Sequence, residues 1–268
     1  MKKTVEGKQV MGFVLAKCTN CGANLEVDPK LDAAICPYCN SAYIVEKAIN
    51  NYSIGSINAN VVNIYGNVSN DFVIRAGILE EYNGAAVDIT IPDTVRELSG
   101  TAFRGMRGLN RIVLPDTVSE IPDGAFEGCL DLKEVIVSNS IKKIGRSAFS
   151  GCSELVKINI PDNVREIGDR CFADCSSLCY VKLPVDLSAL GNYLFTRCTS
   201  LREIDIPDFV QSIGNSAFCG CSSLYKVNIP RGLRKIDSYA FDKCWNLTRS
   251  SMNIPGSCQL GKNALPEE

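Results

Sequence analysis

Seven consecutive segments of the chain repeat with a period of 23 residues, and the register never slips between Val87 and Leu247. One column holds Ile91, Leu114, Val137, Ile160, Leu183, Ile206 and Ile229, and the position after it is proline in every copy except at Ser138. Phenylalanine recurs at Phe103, Phe126, Phe149, Phe172, Phe195, Phe218 and Phe241. Three residues further on stand Met106 and then Cys129, Cys152, Cys175, Cys198, Cys221 and Cys244, followed by a leucine column from Leu109 to Leu247. Each copy reads roughly LxxIxIPxxVxxIGxxAFxGCxx. A fixed period of this length marks a solenoid, in which no unit covers its own apolar face and neighbours must stack to do so.

The columns predict the rung. Apolar residues alternate in LxxIxIP, as Ile158 and Ile160 do around Asn159, which is the period of a half-buried strand, and proline then ends it. Ala148, Phe149 and Cys152 lie three to four apart, so a short helical turn is expected to press them against the same interior. Seven rungs spaced about 4.8 Å apart make a parallel sheet about 35 Å long.

The pattern resembles the 23-residue leucine-rich repeats of the bacterial BspA-like family over residues 87–247, with frayed copies beyond. The resemblance implies an α/β solenoid, right-handed, with its parallel sheet on the concave face. This chain departs from the pattern at Ser138, at Cys171 in the alanine column, and at Asp174, Arg197 and Lys243 in the glycine column, changes read as tolerable at the surface or in small-residue positions. Before the repeats, FVIRAGILEEYNG predicts strands at Phe72–Arg75 and Ile78–Tyr82 around an Ala76-Gly77 turn, a hairpin cap over 71–86. After Leu247 the pattern decays, with Ala264-Leu265 where Ala-Phe belongs, so 248–268 reads as a degraded C-terminal cap.

A second signal stands at the other end. Cys18, Cys21, Cys36 and Cys39 form two CxxC pairs separated by 14 residues. Two such knuckles present four thiolates to one tetrahedral ion and leave no coordination position for substrate. Residues 14–47 are therefore expected to form a small zinc ribbon with one structural zinc, a lone iron ion or two disulfides being the alternatives. Residues 1–13 are a tail. The Asn-rich, nearly uncharged stretch 48–70 is a connector, in which alternation around Val62, Ile64 and Val68 permits one or two short strands.

Enzyme chemistry finds little to work with. The chain contains no histidine, which removes the commonest general base and the Cys–His pair. No phosphate-cradling glycine loop is present; Gly145, Gly168, Gly191 and Gly214 belong to the repeat, and Asp93, Asp116, Asp162 and Asp208 follow the proline column as turn formers. The expectation is a protein that is not an enzyme, with no small-molecule substrate evident. Nucleic acid is not the expected partner. Residues 1–50 carry six lysines against five acidic residues, a balance of +1, and the whole chain stands at −2, whereas phosphate binding needs a concentrated basic face. A regulatory protein touching DNA or RNA through the ribbon is the alternative function.

No apolar run approaches the ~20 residues of a membrane span, and no secretion signal is evident. Lys17 sits where a lipoprotein signal would need a small residue before Cys18. BspA-like relatives are often surface or secreted proteins, so the expectation of a cytoplasmic location departs from the family. The six-cysteine column is read as a ladder of small buried thiols.

Protein interaction remains. Asp88, Arg111, Glu134, Lys157, Tyr180, Glu203 and Lys226 form one outward column in which charge mostly alternates and neutralises itself. In the neighbouring column, Val113 and Ile136 are predicted to lie exposed on adjacent rungs, with Tyr180 nearby. Val113, Ile136 and Tyr180 are the candidate contacts for an unidentified protein partner, and the expected function is a protein–protein interaction scaffold.

Overall fold

The computed structural model describes residues 71–267 and, before them, four strands: β1 (Val14–Lys17), β2 (Asn24–Val27), β3 (Ala33–Ile35) and β4 (Ala42–Ile44). β1 pairs antiparallel with β2, and β3 with β4. The tail 1–13, the connector 48–70 and the four ribbon cysteines Cys18, Cys21, Cys36 and Cys39 lie outside the described residues. Residues 1–69 and 70–268 form two separate compact units.

The larger unit opens with a hairpin of β5 (Phe72–Arg75) and β6 (Ile78–Tyr82). Ala76 and Gly77 both take positive φ, 50° and 82°, the conformation that matches a two-residue turn to the twist of its strands. Next come the repeats, each a rung of two short strands. The first strands are β7 (Asp88–Thr90), β9 (Arg111–Val113), β11 (Glu134–Ile136), β13 (Lys157–Asn159), β15 (Tyr180–Lys182), β17 (Glu203–Asp205) and β19 (Lys226–Asn228). Each buries its middle residue and turns the two flanking ones outward. The second strands are β8 (Glu97–Leu98), β10 (Glu120–Ile121), β12 (Lys143–Ile144), β14 (Glu166–Ile167), β16 (Ala189–Leu190), β18 (Ser212–Ile213) and β20 (Lys235–Ile236). Pairing is parallel throughout the repeats and in the 23-residue register, Ile112 against Ile89 and Val135 against Ile112.

The first-strand ladder is continuous through β7, β9 and β11, then through β13 and β15, then through β17 and β19. It lapses between β11 and β13 and between β15 and β17. At the far end, β21 (Gln259–Leu260) follows the seven second strands and adds a fourth parallel strand to the β16–β18–β20 ladder, and the Phe241 amide donates to Ala264 O at 3.0 Å. About eight turns therefore make a parallel-sheet β-solenoid.

The expected helical turn is absent, and with it the α component of the predicted α/β class. Among the described residues the only helix is a 3-10 turn at Arg249–Ser251. The wall carrying Phe and Cys is built from turns that take left-handed φ twice per rung, at Ser147 (51°) and Gly151 (75°), then at Arg170 (59°) and Asp174 (62°). That alternation points successive amides in different directions. Ser150 and Cys152 donate within the rung to Ser147 O and Phe149 O, while Phe149 and Gly151 donate to Cys171 O and Ala173 O of the next rung. A helix would spend those last two bonds on its own preceding turn and leave the rungs unlinked along this wall.

Asp174, Arg197 and Lys243 sit in the glycine column at φ of 62°, 59° and 57°. The column needs glycine for its backbone conformation, and each of these residues accepts a strain of about 1 kcal/mol or more. Arg197 Nε and Asp174 Oδ1 offset part of it with an ion pair at 2.6 Å.

The seven phenylalanine rings stack along the interior at centroid separations of 5.1–5.6 Å, near-parallel throughout. Tyr82 of the hairpin extends the stack, 5.8 Å from Phe103 and 4.9 Å from Phe72. The cysteines are more than small packing groups. Each ladder thiol donates to the carbonyl of the phenylalanine one rung back: Cys129 to Phe103, Cys152 to Phe126, Cys175 to Phe149, Cys198 to Phe172, Cys221 to Phe195 and Cys244 to Phe218, at 2.9–3.2 Å. Those carbonyls already accept an amide from their own turn, as Phe149 O does from Cys152, and the thiol fills the second lone pair.

Candidate protein-interaction face

The outward residues of the first strands form a face set by strand geometry: one buried side chain between two exposed ones. Val113 and Ile136 stand opposite each other on β9 and β11. Ile136 is exposed and Val113 half-buried. Tyr180, also exposed, lies on β15 in the neighbouring column, with β13 and its polar Lys157 and Asn159 between. The structure thus brings Val113 and Ile136 together and sets Tyr180 apart from them.

Tyr180 belongs instead to a groove of about 1050 Å³ across β15, β17 and the turns that follow. Its exposed apolar side chains are Tyr180, Val185 and Phe209, the last 65% accessible. Its charged ones are Lys182, Arg202, Glu203, Asp205 and Asp208. The groove lies where hydrogen-bonded pairing between β15 and β17 lapses.

Sequence reasoning passes over Val185 and Phe209 because both occupy turn columns. The signal was nonetheless present. Val185 interrupts Asp93, Asp116, Asn139, Asp162 and Asp208, a column that ends on the charged Arg231, and Phe209 interrupts Thr94, Thr117, Ser140, Asn163 and Asp186, with Gly232 last. A large apolar residue in a column of small polar turn formers has no core to fill.

Ion pairs run between rungs on this side of the solenoid. Arg111 Nε contacts Glu134 Oε2 at 2.7 Å, Lys226 Nζ contacts Glu203 Oε2 at 3.0 Å, Lys182 Nζ contacts Asp162 Oδ2 at 3.0 Å, and Arg165 pairs with Asp186. The Lys226 hydrogen bond lowers the Glu203 carboxyl below its usual range, and Lys182 does the same to Asp162. Tyr225 Oη also donates to Glu203, at 3.3 Å. The alternating column thus pairs as expected at Arg111–Glu134 and Glu203–Lys226, but not at Lys157, which has no ion pair among the described residues.

The buried thiols offer no competing chemical site. Burial pushes Cys129 up to about 11 and Cys244 up to about 12, and raises Cys152, Cys171, Cys175, Cys198 and Cys221 as well. A thiol needs the opposite shift to act as a nucleophile. Among the described residues no helix is long and apolar enough to cross a membrane, and no group of three or more His, Cys, Asp or Glu is placed to hold a metal.

The fold has solved relatives. A leucine-rich repeat protein from Bacteroides ovatus aligns with a TM-score of 0.60 and 36% identity, over 65% of this chain and 45% of that one. A T. pallidum leucine-rich repeat protein aligns with a TM-score of 0.55 and 29% identity, over 71% of this chain and 83% of its own. The chain thus spans under half of the Bacteroides protein. A leucine-rich repeat protein from Eubacterium ventriosum, 21% identical with a TM-score of 0.56, shares the fold. No curated protein matches the chain. The model of the BspA type leucine rich repeat region matches residues 81–202 and 151–266; over the larger part of its length, this chain belongs to that family.

Proposed function

We propose that the solenoid is a non-enzymatic scaffold that binds another protein on its first-strand face, centred on the groove of Tyr180, Val185 and Phe209. The exposed aromatic rings carry this reading. Large apolar side chains on rigid backbone, rimmed by charge, are the anatomy of a protein contact, and the repeat itself has no packing use for them. Val113 and Ile136 form a smaller apolar pair further along the same face.

The test is differential capture followed by reconstitution with the purified partner. A Tyr180→Asp, Phe209→Asp variant should lose the partner while keeping the wild-type melt, since both side chains are exposed. A Val113→Asp, Ile136→Asp variant reports on the second pair. A partner retained by both variants would move the binding site off this face.

The N-terminal module is proposed to hold one structural zinc through Cys18, Cys21, Cys36 and Cys39. In sequence each CxxC falls between two strands that pair antiparallel, β1 with β2 and β3 with β4, and four thiolates suit a closed tetrahedral site. A cytoplasmic location is proposed as well. The six ladder thiols each donate a hydrogen bond, a role that only the reduced thiol fills, and a reducing compartment preserves it.

A further inference from the structure

The groove's charges are not equally satisfied. On the strand face and the turns beside it, Asp162, Asp186, Glu134 and Glu203 each contact a cation, namely Lys182, Arg165, Arg111 and Lys226. Asp205 and Asp208, both exposed groove residues, have no ion pair among the described residues. The cation in register with Asp205 one rung back is Lys182, and its ammonium is engaged by Asp162. Lys226, one rung on from Glu203, is held by Glu203. The groove therefore carries Arg202 just before β17 and two carboxylates outside any ion pair at and beyond its end, with the Lys226 ammonium within reach of the Asp205 charge and Arg231 in register with Asp208 one rung on. Phe209 follows Asp208 directly, and its ring is the most exposed large apolar group among the described residues, 65% accessible.

We propose that this groove receives a protein segment carrying an arginine or lysine side chain, whose cation sits between Asp205 and Asp208 against the ring of Phe209. The assignment rests on the strand face being the binding surface and names the chemistry it selects. Two carboxylates supply charge and acceptors for a guanidinium or ammonium. An aromatic face attracts the same cation through its quadrupole and covers its aliphatic stem. Arg202 at the other end answers an acidic residue or carboxylate on the same segment. An anionic side chain placed at this end of the groove would face Asp205 and Asp208, so the arrangement selects against it.

The experiment uses the full chain and an immobilised peptide library with Arg, Lys, Gln or Glu fixed at the central position and the flanks randomised. Wild-type protein should retain Arg and Lys peptides over Gln peptides by roughly fivefold or more at low salt, the preference shrinking as salt rises. An Asp205→Asn, Asp208→Asn variant, altered at exposed sites only, should lose that preference. Gln peptides retained as well as Arg peptides, but released by Phe209→Ser, would overturn the cation assignment and leave the binding face standing. Identical retention by wild type and Phe209→Ser for every peptide class would overturn both. An unchanged circular-dichroism melt for each variant excludes misfolding as the cause.

Discussion

Replacing Phe172 by leucine tests whether the aromatic column acts as a stack or as seven separate plugs. The ring is fully buried and lies 5.6 Å from Phe149 and 5.5 Å from Phe195, with interplanar angles of 3° and 6°. Leucine keeps most of the buried apolar area, so the transfer term changes little; what is lost is the ring's contact on both sides. At about 0.5–1.5 kcal/mol per aromatic pair beyond area burial, the loss is about 1–3 kcal/mol. Phe241 has one stacked neighbour, Phe218 at 5.1 Å, so Phe241→Leu should cost about half as much. Urea melts followed by circular dichroism measure both, with an unchanged m-value confirming that stability alone moved. The double variant Phe172→Leu, Phe195→Leu should be less destabilised than the sum of the singles, by about the value of one pair, because both singles break the same contact. Equal costs at Phe172 and Phe241, or strictly additive costs at Phe172 and Phe195, would refute the stacking argument and leave simple area burial.

Other perturbations probe the remaining parts of the fold. Lys243→Gly should raise the midpoint, because it removes left-handed strain of about 1 kcal/mol at φ 57°, and Gly151→Ala at φ 75° should lower it by a similar amount in the same urea series. Ile160→Asp places an unpaired carboxylate at a fully buried position and should abolish the cooperative melt of several rungs; a wild-type melt would contradict the interior assigned to that column. The ladder thiols are raised by burial, Cys129 to about 11, so the folded chain holds protons that the unfolded chain releases first. Stability should be flat below pH about 9 and fall as pH rises from there through about 11, and a Cys129→Ala variant should show a shallower alkaline fall in thermal scans. Chelation should release one zinc per chain, measured by elemental analysis, without altering the urea melt of the repeats, whose contacts are local; metal-free protein as purified, or repeats that melt on chelation, would contradict the proposed ribbon.

Much of the solenoid was legible because a repeat amplifies weak signals. One Ile-Pro pair means little, whereas the column from Ile91 to Ile229 with proline after it identifies a strand end in every rung. The hairpin strands at Phe72–Arg75 and Ile78–Tyr82 were readable from local alternation and the Ala76-Gly77 turn. The turn wall was not readable as such. Ala148, Phe149 and Cys152 have helical spacing, and their interior-facing contacts are the same whether the backbone is helical or alternates in sign of φ; only the destination of the amides distinguishes the two. The glycine column held the clue, since left-handed positions recur at Gly128, Gly151 and Gly220.

The candidate site was half visible. Tyr180 stood out because it interrupts a charged column, but the companions sought for it, Val113 and Ile136, lie beyond β13. Its groove neighbours are Val185 and Phe209, from turns that follow two successive strands.

The sequence by itself determined the period, the seven regular repeats and the inward columns, because these depend on which residues recur at which spacing and on the need of each rung to bury its face against the next. It also marked the departures from those columns. Tertiary structure alone decided where alternate amides bond, that each cysteine thiol reaches the carbonyl one rung back, and which outward side chains share a groove. Those relations join residues some 20 or more positions apart in the chain, at distances of a few ångström, and no local pattern carries them: they arise only once stacking has set one rung against another.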